Sequence, residues 1–304
     1  MRSMKGIFLL IVANFLIFFT LVISGTILIN FVLPAFGIDL RDSLHTMDFA
    51  WAMVFGFGGA FISLLLSKTL VKRSFRMQQV TEPTTPKEHL VFNAVKELAG
   101  KAGVRMPEVW VYLDDVPNAF ATGPTRNRSM VAVSSGLVNN LSDDEVRAVL
   151  AHEVGHVANG DMLAITLLQG LMNTFVYFVA RMIARPFMER NYFMGFMVYM
   201  ALQFILSVFA MIPICWFSRR REFRADAHAA RVYGAAPMIR ALQKIDALAQ
   251  RTLAAKHEHE GMAADPVAAL KIHGESGGFA HLFATHPPIE ARIAALKEGS
   301  AQRV

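Results

Sequence analysis

One short stretch of the sequence has the residue types and spacing of a catalytic metal site: His152-Glu153-Val154-Gly155-His156. If this stretch is helical, both histidines lie on one face, because residues four apart are neighbours on a helix. Two imidazoles can then bind one metal ion, and Glu153 can act as a general base on a water molecule that the ion activates. Zinc is the expected ion, since neutral imidazole suits it and a catalytic zinc site keeps one position open for water.

Two histidines leave zinc one protein ligand short, and a downstream segment supplies carboxylates at helical spacing. Glu222 and Asp226 are four residues apart in a stretch that continues as an alanine-rich predicted helix. We predict that Glu222 is the third ligand and that Asp226 accepts the second ring N–H of a histidine ligand, which fixes its tautomer. The alternative is that these acids form ordinary ion pairs with the neighbouring arginines on a helix surface.

A helix start lies just upstream of the histidine motif. Ser142 is followed three residues later by Glu145, which is the capping-box pattern, and two further acids in between are favoured by the helix dipole. The spacing predicts a helix from this cap to about Ala158. Further upstream, apolar periodicity predicts a helix over 87–103, two short strands over 109–112 and 130–133, and a turn-rich connection over 114–127.

Composition places the chain among membrane proteins, since 54% of its 304 residues are hydrophobic and only 18% are charged. Cys215 is the single cysteine, which excludes an internal disulfide and a cysteine-rich zinc cluster. The net charge of +6 does not indicate nucleic acid, because the basic residues lie beside apolar stretches, where they act as orientation signals. Four windows are apolar and long enough to cross a bilayer: 6–33, 49–67, 162–180 and 191–218.

Two of these windows carry patterns that suggest how the helices pack. In the second window, small residues around Gly56 and Gly59 offer a face for close approach of another helix. In the third window, polar residues recur at offsets of three and four. They either form hydrogen bonds between helices or line a wet cavity: Thr166, Gln169, Asn173 and Tyr177.

Basic residues predict that the chain before and after the first hairpin is cytoplasmic, because a cluster of them follows the second window. The orientation of the second hairpin is less clear, since its tip at 181–190 carries three arginines, which would favour the cytoplasmic side for the tip as well. His152 precedes that hairpin and Glu222 follows it, and one ion cannot be shared across a bilayer about 30 Å thick. The second hairpin must therefore cross and return, or not cross at all.

Four motifs along nearly the whole chain form one set with the apolar windows: the 152–156 motif, Asn159-Gly160-Asp161 at its helix end, the stretch from Glu222 to Asp226, and Thr285-His286-Pro287-Pro288 before Arg292. This set resembles the HtpX heat-shock membrane zinc peptidases. Members of that family are inner-membrane endopeptidases of bacteria with a cytoplasmic gluzincin-type site, and they are similar to the eukaryotic endopeptidases that trim prenylated proteins. The resemblance implies a stress-response protease that acts on misfolded proteins.

The resemblance also implies residue roles. His152, His156 and Glu222 would hold one zinc ion per chain, Glu153 would be the catalytic base, and Asp161 would support the ligands. His286 would donate a hydrogen bond to the tetrahedral oxyanion, organised by Arg292; without the resemblance, His286 is a turn histidine before two prolines. An edge strand would pair with extended substrate, and the candidates are Val131, Ala132 and Val133, or Asn118, Ala119, Phe120 and Ala121.

The expected fold is an α-helical membrane protein with four hydrophobic helices and a mainly α, α+β zincin-type domain carrying a small β-sheet. A transmembrane hairpin over 1–67 and a second hydrophobic hairpin over 162–218 would alternate with two cytoplasmic protease segments over 68–161 and 219–304. Expected partners are unfolded or misfolded proteins and the lipid bilayer. Residues 256–260, where histidine and glutamate alternate, are expected to be a solvated loop rather than a second metal site.

Two other functions compete with the zinc endopeptidase. A processing peptidase for lipidated C-termini would need a large intramembrane chamber, for which four spans are too few. A membrane adaptor or holdase with a structural metal would need a closed site, yet structural zinc has four protein ligands and no adjacent general base. Both alternatives rank below a membrane zinc endopeptidase of protein quality control.

Overall fold

The computed structural model describes residues 44–260 and 282–301, and the first predicted span, 6–33, lies outside them. Within this part the chain is mostly helical, with one small sheet, as the sequence predicted. The elements in chain order are α1 (Leu44–Ser74), β1 (Met77–Gln79), α2 (Pro86–Ala102), β2 (Glu108–Tyr112), β3 (Ala119–Thr122), β4 (Met130–Ser134), α3 (Ser135–Asn140), α4 (Asp143–Asn159), α5 (Asp161–Arg190), α6 (Tyr192–Tyr233), α7 (Ala235–Glu260) and α8 (Ile289–Ala301).

Contacts divide the chain into two compact units. The helical unit consists of Met1–Leu66 and Ala164–Ile214, and the mixed unit consists of Ser67–Leu163 and Cys215–Val304. Both units are therefore discontinuous in sequence, and each long apolar helix belongs partly to each unit.

A four-stranded sheet in the order β1-β2-β4-β3 forms one part of the mixed unit. β2 and β4 are parallel, and the outer pairs are antiparallel. One apolar core joins the sheet to α2, α4 and α7. The predicted apolar stripe of α2 is buried in that core: Leu90, Val91, Ala94, Val95 and Leu98.

The helix that carries the histidine motif begins and ends as its sequence predicted. Ser142 accepts a hydrogen bond from the Glu145 backbone N–H, and the Glu145 side chain accepts one from the Ser142 backbone N–H, so the capping box is confirmed. At the other end Gly160 adopts φ 71°, a left-handed conformation that glycine tolerates without strain. α4 is thus fixed at both ends by local chemistry.

Several elements differ from the sequence-based expectation. The segment predicted to be turn-rich contains strand β3, and β1 and α3 were not predicted. α6 is one continuous helix of 42 residues, so the fourth apolar window and the helix that carries Glu222 are the same element. Residues 256–260 were expected to form a loop, but their backbone continues helix α7.

Among the described residues, three helices are long and apolar enough to cross a membrane: Trp51–Ser74 in α1, α5 and α6. In the helical unit, α1 approaches α5 closely at Gly56, where an added Cβ would lie 2.1 Å from Thr174 Oγ1. The predicted close approach of another helix is thus confirmed at Gly56. The predicted polar face of α5 is not a single buried face, because Thr166 is buried whereas Gln169 and Asn173 are exposed.

The arginines near the turn between α5 and α6 have acidic partners. Arg181 Nε lies 3.2 Å from Asp48 Oδ1, and Arg185 Nε lies 3.1 Å from Glu189 Oε1. The predicted hairpin tip is helical up to Arg190, and the chain reverses at Asn191. Because two of the three arginines are paired, this end of the hairpin carries less uncompensated positive charge than the sequence suggested.

Candidate metal centre

The two histidines of the motif and Glu222 converge in the mixed unit. His152 Nε2 and His156 Nε2 lie 3.2 Å apart, since both residues occupy one face of α4. Glu222, on α6, places Oε1 at 3.2 Å from His156 Nε2 and Oε2 at 3.5 Å from His152 Nε2. His152 and Glu222 are buried and His156 is partly buried.

These donor atoms suit zinc in chemistry and in spacing. Two imidazoles and one carboxylate form the ligand set of several catalytic zinc sites, which leave one position for water. Ligands about 2.0–2.1 Å from a tetrahedral ion lie about 3.3 Å from one another. The two Nε2 atoms lie 3.2 Å apart, close to that value, and each lies within 3.5 Å of one oxygen of the Glu222 carboxylate.

A carboxylate lies behind each histidine. His152 Nδ1 is 2.8 Å from Asp226 Oδ1, and His156 Nδ1 is 2.7 Å from Asp161 Oδ2. Both acids are almost fully buried. Such contacts orient each ring with Nε2 towards the shared centre and fix the tautomer that a metal ligand needs.

Arg292, on α8, contacts the carboxylates of both Glu222 and Asp226. Its Nε and Nη2 donate to the two oxygens of Asp226 at 2.8 and 2.6 Å, and its Nη1 lies 3.6 Å from Glu222 Oε2. A bidentate pair of this kind fixes the carboxylate plane as well as its position. Arg292 is 8% exposed, so this arrangement is largely shielded from water.

His286 reaches the same carboxylate from the loop before α8. Its Nδ1 lies 3.0 Å from Glu222 Oε2, the oxygen that Arg292 also approaches, while its side chain stays 68% exposed. The link between His286 and Arg292 therefore runs through Glu222. Glu153 follows His152 on α4 and is 9% exposed. His286 thus contacts the donor cluster, and Glu153 is near enough for its charge to raise the pKa of both histidines.

The electric field at the centre favours a cation. Burial lowers the pKa of His152, but its hydrogen bonds to Asp226 and Glu222 outweigh that effect and raise the pKa above its ordinary value. Burial likewise opposes the charged form of His156, yet Asp161 and Glu222 raise its pKa to about 10. Carboxylates that hold protons on these rings would equally attract a divalent metal ion in place of those protons.

The two predicted substrate-binding segments occupy different positions in the sheet: one is an inner strand and the other an outer strand. β4 lies between β2 and β3, and all of its residues are buried. Val131, Ala132 and Val133 were therefore wrongly predicted as an edge, because their backbone groups already pair on both sides. β3, with Ala119 and Phe120, is the outer strand on this side of the sheet, and Asn118 immediately precedes it.

Comparison with known proteins identifies the family. The model of peptidase family M48 matches residues 87–300. The chain belongs to peptidase family M48. Protease HtpX of Pasteurella multocida is 42% identical to this M48 peptidase over 288 residues, which cover 93% of the chain and 97% of the relative. Protease HtpX of Aeromonas hydrophila is 43% identical over 308 residues, covering 97% of the chain and 100% of the relative.

A solved structure shares the fold of this M48 peptidase. The crystal structure of Ste24p from S. mikatae matches with a TM-score of 0.56 and 20% sequence identity, covering 91% of this chain and 66% of Ste24p. Together with the apolar helices, the family makes the chain a membrane metallopeptidase that acts on polypeptides. The resemblance inferred from the motifs is thereby confirmed.

Sequence reasoning missed several residues around the centre of the M48 peptidase. Arg221 Nη1 donates to the Asp161 backbone carbonyl at 3.1 Å, and Arg224 Nη2 lies 3.7 Å from Asp161 Oδ1. An added Cβ on Gly155 would lie 3.3 Å from the His228 ring. The sequence had suggested that these arginines act as orientation signals or form ion pairs with Glu222 and Asp226, and had not connected them with Asp161. The glycine inside a helical motif was a usable signal, because glycine costs about 1 kcal/mol there and needs a packing reason.

Proposed function

We propose that this membrane metallopeptidase is a zinc-dependent endopeptidase of the cytoplasmic membrane that degrades misfolded or damaged proteins. The observation that carries the proposal is the convergence of His152, His156 and Glu222 within one small cluster. Glu153 is near enough to act electrostatically on both histidines. A closed structural site would be expected to use a fourth protein ligand instead of an adjacent base. Two relatives that are 42% and 43% identical also have the name Protease HtpX.

Each residue at the centre has a separate task. Zinc held by the three donors would polarise the scissile carbonyl and acidify a water molecule. Glu153 accepts the proton of the attacking water and then delivers it to the departing amine. Asp226 and Asp161 keep the histidine rings in position, and Arg292 holds the α6 carboxylates.

His286 stabilises the oxyanion that forms on the substrate. Nδ1 contacts Glu222, which orients the ring, while the side chain stays 68% exposed and can therefore reach a bound substrate. In its protonated form histidine donates from both nitrogens, so Nε2 can donate to the developing negative charge. The contact with Glu222 supports this role because it places the ring next to the reacting centre.

Substrate binds as an added strand along the outer edge of β3. Backbone hydrogen bonds to a sheet edge accept almost any side chain, which suits an enzyme that handles damaged proteins of many sequences. Asn118, Ala119 and Phe120 supply that edge. An extended, unfolded segment can pair with it, whereas a folded domain has no free strand to offer.

The catalytic groups face the cytoplasm. Basic residues at the end of α1 favour that side for the chain that follows: Lys68, Lys72, Arg73 and Arg76. The second hairpin then crosses the membrane and returns, so that α4 and the distal part of α6 meet on one side. The acidic partners of Arg181 and Arg185 make this topology easier to reconcile with the positive-inside rule.

The decisive experiment compares wild type with Glu153→Gln in detergent. Both are stripped with a chelator, reloaded with zinc and mixed with an unfolded protein substrate. Wild type should cut only when zinc is present, and Glu153→Gln should bind zinc equally but cut at least about 100-fold more slowly, as expected for a lost general base. A zinc-loaded variant that cuts at the wild-type rate would refute the assignment of Glu153.

His152→Ala and Glu222→Ala are the matched ligand variants. Both should lose zinc as well as activity, because each removes one donor of three. Full zinc occupancy in Glu222→Ala would show that another residue supplies the third donor.

A further inference from the structure

One face of α6 holds the chain segment that ends at His286. Cys215, Arg219, Glu222 and Asp226 follow one another at spacings of four, three and four, which places them on a single helical face. Each of them contacts the segment 283–292 or the residue just before it. The helix face thus provides a row of attachment points along the approach to the metal centre.

The contacts run in order along this face. Cys215 Sγ donates to the Phe283 carbonyl at 3.3 Å, and Arg219 Nη1 donates to the Ala284 carbonyl at 2.6 Å and to the Leu282 carbonyl at 3.4 Å. One turn further on, Glu222 accepts from His286 at 3.0 Å. Arg219 thus binds the backbone two residues before the histidine.

The geometry points to Arg219 as a positioning residue for His286. His286 is followed by Pro287 and Pro288, which restrict the backbone on that side. Preceding it, residues 284 and 285 belong to no helix or strand, so no secondary-structure ladder fixes them. The Arg219 guanidinium supplies that fixation, since a charged donor shared between two carbonyls holds both peptide planes.

Its neighbour Arg220 is a matched control. Arg220 has the same charge and lies on the same helix, but its guanidinium carbon lies 4.6 Å from the centre of the Trp216 ring and its side chain is exposed. Any effect of charge loss near the end of the apolar helix should appear equally in both variants. An effect through the His286 segment should appear only at Arg219.

The inference rests on the proposed role of His286, and kinetics test it in purified, zinc-loaded protein. Arg219→Met should lower kcat at least about tenfold with KM within about twofold of wild type, because a displaced oxyanion donor weakens the transition state most. Arg219→Lys keeps a charged donor that binds only one carbonyl, so its kcat should lie between those of wild type and Arg219→Met. Arg220→Met should match wild type.

A double-mutant cycle separates positioning from a general structural effect. In the His286→Ala background, Arg219→Met should cause no further loss of kcat, because its target is gone. An equal loss in both backgrounds would overturn the inference. If His286→Ala itself keeps full kcat, the oxyanion role in the proposed function is wrong and this inference falls with it. If only Arg219→Met keeps full kcat, the inference alone is wrong.

Hydrogen exchange of metal-free protein gives a readout that does not depend on catalysis. The peptide covering 282–288 should exchange faster in Arg219→Met than in wild type or Arg220→Met, because the segment has lost its attachment. Unchanged exchange would overturn the inference. Should Arg219→Met fail to fold, Arg219→Lys decides, since wild-type kcat and exchange in that variant would also overturn it.

Discussion

At the residue scale, we expect the two acids behind the histidines to set how tightly the centre binds a metal ion. Asp226 could be predicted from sequence, because its spacing from Glu222 is local helical geometry. Asp161 followed only from the family resemblance, since it begins α5 after the left-handed turn at Gly160. In the structure the two acids have equivalent positions, each less than 3 Å from one Nδ1.

We expect Asp161→Asn to weaken zinc binding about 10- to 100-fold, the usual effect of losing a carboxylate behind a metal-bound histidine. The amide can still accept a hydrogen bond, but it no longer offers negative charge to the ring. Competition with a zinc chelator of known affinity measures the change. Asp144→Asn removes the same charge from an exposed position near the start of α4, and it should bind zinc like wild type.

The contacts that sequence could not show are those between distant segments. Arg219 and Arg292 bind groups about 65 residues away in the chain, and no periodicity relates such positions. The residue type of Arg219 gave no help either, because an arginine beside an apolar window is expected as an orientation signal. Arg292 was connected with His286 only through the family resemblance, and the folded arrangement shows which groups both arginines bind.

At the element scale, sequence predicted the helices better than the sheet. α2 and α4 have caps and apolar stripes, which are local signals that act within a few residues. β1 and β3 have three and four residues, too few for a clear alternation. The central position of β4 depends on its pairing partners, so the sequence could not distinguish it from an edge strand.

The contact between α4 and α6 at Gly155 predicts whether Gly155→Ala raises or lowers the stability of the fold. Alanine at position 155 should gain about 1 kcal/mol in helix propensity, but its Cβ would contact the His228 ring at 3.3 Å, where overpacking costs about 1–3 kcal/mol. We therefore expect Gly155→Ala to be neutral or destabilising alone. In the His228→Ala background it should stabilise, because the ring is gone.

Thermal unfolding of the four proteins of this cycle, metal-free in one detergent, measures the interaction. Equal effects of Gly155→Ala in both backgrounds would mean that the His228 ring does not limit the space at this crossing.

The end of α1 is attached to β2 by charge. Glu108 contacts Lys68 and Lys72, and it also accepts from Trp110 Nε1 at 3.1 Å. Burial tends to raise the pKa of Glu108, but the hydrogen bonds from both lysines and the indole outweigh it and lower the pKa to about 2. A carboxyl with a lowered pKa stabilises the fold above its unfolded-state pKa and loses that effect as pH falls.

Glu108→Gln should therefore reduce stability at pH 7 by about 1 kcal/mol or less, since the group is one-third exposed. The difference from wild type should shrink as the pH falls from about 5 towards about 2. Melting temperatures of metal-free wild type and variant across this range test the prediction. A difference that stays constant with pH would exclude ionisation of Glu108 as its source.

At the scale of the whole molecule, the sequence settled the class of protein but not the path of the second hairpin. The lengths of α5 and α6 allow a crossing, at 1.5 Å per residue, and the turn between them is a single residue, Asn191. Counting charges gave only a weak signal for this hairpin, and it took no account of ion pairing. Arg181 and Asp48 are 133 residues apart in sequence.

Labelling of single cysteines in oriented membrane vesicles tests this path. In a Cys215→Ser background, which removes the one native cysteine, Tyr192→Cys places an exposed thiol next to the turn. It should react only from the side opposite to that of Asp144→Cys, which marks the catalytic side. Reaction of both from the same side would show that the hairpin does not cross.

The order of the donors along the chain has a consequence for biogenesis. His152 and His156 leave the ribosome first, then the long apolar hairpin, and only then Glu222. A nascent chain therefore has only two of the three donors until translation has passed the hairpin. Synthesis of the apolar hairpin thus precedes completion of the donor cluster, and a copy that ends before residue 222 lacks the Glu222 carboxylate.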